Sequence, residues 1–190
     1  RYDWGHTLLQ DGPMQKDLDL YLAACSDVVG LDDVRDWMQL DWLFPRATGS
    51  KSRQLWKIFT ESRVNDEGKL KCSMSEILGV YSLVRLLLEH RVPDVPERRL
   101  AKESFSLCCR LVDILQAAKQ LLISMDDASQ LLLQTHEAYL RKHIEAYGTQ
   151  HITPKFHWLF DIVRQLVLDP QLYDQFIIER LHLGVKDEGV

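Results

Sequence analysis

Glycine and proline are scarce, nine and six in a chain of 190 residues, about 8% together against an ordinary share of roughly 12%. That shortage disfavours collagen-like, linker-like and turn-rich all-β chains and leaves helix as the favoured class. Long apolar runs are missing as well. Nothing approaches the ~20 residues that span a bilayer, and the first residues lack the basic-then-apolar order of a signal peptide, so no membrane partner is expected. Cysteine is sparse: Cys25, Cys72, Cys108 and Cys109 make neither a Cys-x-x-Cys pair nor the density of a secreted disulfide scaffold. Free thiols and an intracellular, reducing compartment are expected. A basic excess is absent too, with 23 Lys and Arg against 28 Asp and Glu and a net charge of −5. The chain as a whole therefore lacks the footprint of a free-standing nucleic-acid-binding domain, and any DNA contact must be local.

What is present suits one folded core: 46% hydrophobic and 27% charged residues exclude disorder as the main state. The chain opens on Arg1-Tyr2-Asp3-Trp4-Gly5-His6 with no methionine, and a piece of a longer protein is expected. Tyr2 to Leu9 is the one stretch that suggests a strand, closed by the turn signal Asp11-Gly12-Pro13. Beyond it the period is helical. Met14, Leu18, Tyr21, Leu22 and Cys25 recur on one face after Pro13, with Gly30 as a stop. Val34, Trp37, Met38 and Trp42 repeat the pattern before Pro45, and Ser50 to Thr60 reads as a short basic helix followed by a polar loop, Glu61 to Lys71. Ser73-Met74-Ser75-Glu76 is a capping box opening a helix to about His90.

Pro96 opens the longest helix, to about Leu122. In it Leu100, Leu107, Ile114 and Leu121 repeat every seven residues with Ser104, Leu111 and Ala118 between them, a coiled-coil-like seam. A second apolar row, Phe105, Cys108, Val112, Leu115 and Leu122, predicts a central, buried position for this helix, and favours a core helix over a dimer seam. Further helices are expected from Ser124 to Tyr147, from Thr153-Pro154 to Leu166 and from Asp169-Pro170 to about Lys186. The reading is all-α, a bundle of seven or eight helices, with a short N-terminal strand.

Ordinary catalytic motifs are lacking: there is no Gly-rich phosphate loop, no Gly-x-Ser-x-Gly and no His-Glu-x-x-His. A zinc site of His151, His157 and a cysteine has no two-plus-two ligand spacing. Polar residues at the two ends remain. Asp3-Trp4-Gly5-His6, Pro154-Lys155-Phe156-His157 and the stretch Phe176 to Lys186 with Glu179-Arg180-Leu181-His182 resemble DDE-type cut-and-paste transposases of the CACTA and Plavaka kind. Gly5 stands where that family carries a methionine.

The resemblance implies that Asp3 is the second catalytic acid and Glu179 the third, and that the first lies upstream. It further implies that these acids hold Mg²⁺. Residues 1–12 would then be a remnant of an RNase H-like core, 13–150 a helical insertion and 151–190 helices returning to the core. Phosphoryl transfer on DNA employs two Mg²⁺ about 3.5–4 Å apart, held by carboxylates. No small-molecule cofactor is implied. The family acts on DNA, which implies a nuclear location and self-association of protomers.

Local DNA contacts are sought at Lys155 and His157, where a proline-opened helix start attracts phosphate, and at Arg180, His182 and Lys186. A second patch is Arg46, Lys51, Arg53 and Lys57 with Trp56 and Phe59, since cations neutralise phosphate and exposed aromatics stack on bases. Ordinary readings stand beside each of these: a helix entrance for Lys155 and His157, core burial for the aromatics, a turn or cap for Asp3, a solvated helix face for Glu179. Arg98, Arg99 and Lys102 crowd a helix start, where the dipole disfavours cations, and call for an acidic partner or a solvated face. The reading from a different class is an all-helical, non-enzymatic module that binds another protein, and a third reading joins the two, an inactive transposase remnant in which the acids persist without activity.

Overall fold

The computed structural model describes residues 2–40, 42, 50–169 and 171–172, and for 50–53 the backbone alone. The described residues hold seven α-helices: α1 (Trp4–Leu8), α2 (Pro13–Ala24), α3 (Leu31–Met38), α4 (Met74–Arg91), α5 (Pro96–Lys119), α6 (Met125–Tyr147) and α7 (Pro154–Leu168). No β-sheet forms among them. The bundle is all-α as expected. The N-terminal strand is corrected, because Asp3 caps a helix there, its carboxylate taking the N–H groups of Gly5 and His6. The helix expected from Asp169 to Lys186 falls almost wholly outside the described residues.

Local chemistry explains most boundaries. Ser73 accepts from the N–H of Glu76 and the Glu76 carboxylate returns to the N–H of Ser73, the reciprocal arrangement that satisfies two orphan donors at a helix start. Ser124 caps α6 through Asp127, and Gly148 ends it at φ 78°, a conformation that costs glycine little. Between α3 and α4, residues Ser50–Phe59 form a 3-10 helix instead of an α-helix. The polar loop that follows is folded back by an antiparallel bridge from Val64 to Leu70. Two side chains of α2 hold that loop, Gln15 donating to the Leu70 carbonyl at 2.6 Å and Asp19 accepting from the Leu70 N–H at 3.2 Å.

α5 is the central helix. It lies along α6 and also meets α2 and α4, and Phe105, Cys108, Leu111, Val112, Leu115 and Ala118 are buried on its inner faces. The heptad row is corrected in part: Ile114 is buried, but Leu100 is exposed and Leu121 stands beyond the end of the helix. A 3.6-residue period drifts away from a strict seven-residue repeat, so the row slides off the core at both ends. All four cysteines are free, and Cys72 alone among them is less than fully buried.

Gly12 is fixed by close approach. It precedes Pro13 at the tight junction of α1 and α2, and a Cβ there would lie 2.3 Å from the Thr7 carbonyl oxygen and 2.6 Å from that of Leu8. Both obstacles are backbone and cannot rotate away. Gly12→Ala is expected to cost about 2–3 kcal/mol, read as a lower urea midpoint with an unchanged slope.

Candidate functional site

The N-terminal residues and α7 meet at one corner, where most of the described candidate residues lie. Lys155 sits in the first turn of α7, a poor place for a cation in its own helix. Its ammonium instead crosses to α1 and donates to the carbonyls of His6 at 2.8 Å and Gln10 at 2.6 Å, where the negative end of that short helix welcomes it. Burial pulls the Lys155 amine below the usual lysine range. Tyr2 adds a second link, its N–H donating to Gln165 of α7 at 2.7 Å and its ring lying 6.1 Å from that of Trp158. Segments about 150 positions apart in sequence are thereby joined.

Asp3 occupies this corner as a carboxylate already engaged. One oxygen takes the Gly5 N–H at 2.8 Å and the other accepts from Nδ1 of His6 at 2.7 Å, with a further contact besides. His6 is oriented by that bond, and its side chain is 43% exposed. His157 is exposed on the next turn. Glu179, Arg180, His182 and Lys186 lie outside the described residues. Of the acids named by the resemblance, Asp3 alone can be placed, and one cap-bound carboxylate does not constitute a two-ion site. Among the described residues no cluster of three or more His, Cys, Asp or Glu could hold a metal.

The second basic patch resolves in part. Arg46 and the side chains of Lys51 and Arg53 lie outside the described residues. Lys57 is exposed, donating to Gln54 at 3.1 Å and lying 5.8 Å over the Trp56 ring. Phe59 is fully buried, the core role that is the ordinary reading of this aromatic, and it offers no face to a base. Arg98 has its acidic partner inside the chain, Asp27, and Arg99 faces Asp94 at 3.7 Å. No helix of the described residues is long and apolar enough to cross a membrane.

A polar centre that the motif search passed over lies deep between α2, α5 and α6. Asp17, Ser104 and His143 are each wholly enclosed. Nδ1 of His143 donates to Oδ1 of Asp17 at 2.7 Å, and the Ser104 hydroxyl donates to the carboxylate at 3.0 and 3.1 Å. Burial outweighs these donors and pushes the Asp17 carboxyl up. The three residue types are those of a hydrolytic triad, but serine and histidine both bond the aspartate and not each other, and no substrate reaches them. The arrangement ties helices together. Its signal in the sequence was positional: Asp17 falls on the face of α2 that carries Met14, Leu18 and Tyr21, where an acid is tolerated only when paired.

One α6 turn pair away, His136 is buried, with Nε2 donating to the Phe156 carbonyl at 2.9 Å and Nδ1 left without an acceptor. A second ring proton would be stranded there, so burial pulls its pKa down from 6.5 to about 4. Comparison with protein-family models, curated proteins and solved structures gives no match to this chain.

Two outcomes follow for this region. Lys155→Met strands the carbonyls of His6 and Gln10 and is expected to cost about 1–3 kcal/mol in chemical denaturation; unchanged stability would show the ammonium to be free for an outside ligand. For His136 the unfolded chain takes up its proton near pH 6.5 and the folded chain only near pH 4, so its contribution is complete above 6.5 and lost as pH falls through that window. Asp17 and Asp19, raised by burial, the latter to about 6, work in the opposite sense, so the test is a difference. Relative to wild type, His136→Gln should gain up to about 3 kcal/mol between pH 6.5 and 4.

Proposed function

We propose that this chain contributes the helical insertion and flanking acidic segments of a DDE-type DNA transposase, a protein that cleaves and rejoins DNA with Mg²⁺ held by carboxylates. The observation that carries the reading is the junction of α1 with α7. The Asp3–His6 and Pro154–His157 segments are two of the three that bear the resemblance, and they share one corner through Lys155. A helical domain inserted into a core must return its two ends to a common place, and this junction has that form. All of the described residues between these segments are helical or short connections, which suits an insertion.

In this reading Asp3 and Glu179 are the acids, His6 orients Asp3, and His157, Arg180, His182 and Lys186 face DNA. Work on DNA puts the protein in the nucleus. Two of three acids do not complete a catalytic centre, so the chain by itself is expected to bind metal weakly and to leave plasmid DNA intact.

Manganese(II) serves as the probe, since its electron paramagnetic resonance signal falls on binding. Asp3→Asn, which keeps the helix cap, and Glu179→Gln are each expected to weaken Mn²⁺ binding several-fold. Binding equal to wild type in both variants would remove the acids from the function, and nicking that survives in neither but occurs in wild type would show a complete centre where two acids were expected.

A further inference from the structure

The connection between α5 and α6 departs from what its backbone asks for. α5 ends in a Schellman turn: the Leu121 N–H bonds the Ala118 carbonyl at 3.0 Å and the Leu122 N–H bonds that of Ala117 at 2.9 Å. This motif places its first residue past the cap in the left-handed region, where glycine is the usual occupant. Here that residue is Leu121, at φ 58°, a conformation that the leucine Cβ resists. The next residue of the motif normally rests its side chain on the preceding turn. Leu122 does not; it is 72% exposed and Leu121 81%.

Two adjacent leucines, one of them strained, thus project from the tip of the longest helical hairpin and touch little of their own chain. The surroundings are acidic. Asp126 and Asp127 are exposed in the first turn of α6, close behind the two leucines in the chain, and Lys119, two positions before Leu121, is already engaged.

We propose that the Leu121–Leu122 tip is a docking element for another protein, inserting both side chains into an apolar groove whose rim carries lysine or arginine. The charge decides the occupant. A second copy would bring Asp126 and Asp127 against their own kind on a chain of net charge −5, and an anionic membrane surface would be repelled likewise, whereas a cationic rim is attracted. Burying two leucines in the centre of such a contact supplies the anchor, and the carboxylates set the orientation. The proposal is independent of the transposase reading, because neither leucine belongs to the segments that support it.

The test uses the whole chain and two synthetic helical-hairpin probes that share a leucine-lined groove, one rimmed with lysine and the other with glutamate. Binding is followed by isotope-edited NMR together with sedimentation. The expected result is saturable binding of the lysine-rimmed probe with shifts centred on 121–127 and none by the glutamate-rimmed probe. Leu121→Gly should raise Tm by about 2–4 °C, since glycine relieves the left-handed backbone, and still cut affinity about tenfold or more. Leu122→Ser should do the same to affinity, and Asp126→Lys should shift preference toward the glutamate rim. A gain in stability alongside a loss of binding separates docking from a folding defect. Absence of saturable binding, equal binding of both probes, wild-type affinity in the leucine variants, or tip shifts that arise from self-association or from phosphatidylcholine vesicles would each overturn the proposal.

Discussion

The carboxylate of Asp17 has no water to turn to, and the packing of three helices follows from that. Ser104 of α5 and His143 of α6 must both reach it from their own backbones, which sets the register of α5 and α6 against α2 to within a hydrogen bond. An apolar core tolerates small slips between helices, because leucine against leucine is nearly as good one notch along. A buried acid does not, since losing one partner of such a centre costs about 3–5 kcal/mol. The aromatic layer beside it, in which Tyr139 stacks on Phe156 with their planes 13° apart, carries the same order on to α7.

From α7 the constraint passes outward to the corner. α7 packs on α6 and α1 with Phe156, Leu159, Ile162, Val163 and Leu166 buried, and the His136 bond to the Phe156 carbonyl ties it to α6. Its Lys155 then holds α1. A five-residue helix is far too short to persist by itself, so α1, and with it the position of Asp3, exists because Trp4 and Leu8 are buried and Lys155 closes its end. The candidate acid is positioned by a chain of contacts that begins at a different acid, deep in the core.

The elements themselves were largely legible. Pro13, Pro96 and Pro154 each open a helix, Ser73 and Ser124 each cap one, and Gly148 ends one, because these residues act on their own backbone within a turn. The N-terminus was not legible. Tyr2 to Leu9 is short, and strand and helix patterns coincide over so few residues. The heptad row misled at its ends for a related reason: periodicity identifies an apolar stripe but not where the neighbouring helix stops covering it.

Residue type and spacing by themselves determined an all-helical chain, the starts of its long helices, free thiols and the list of polar residues able to do chemistry. Tertiary structure decided which of those residues are spent on the fold. Lys155 reads as a phosphate ligand in its own helix and becomes the cap of another; Phe59, open to stacking or to burial in the sequence, is core; Asp17, an acid on an apolar face, finds its partners on two other helices. Local signals arise within a turn of helix, where sequence neighbours are spatial neighbours. A side chain's partner across the core lies a hundred positions away and is set only when the helices pack.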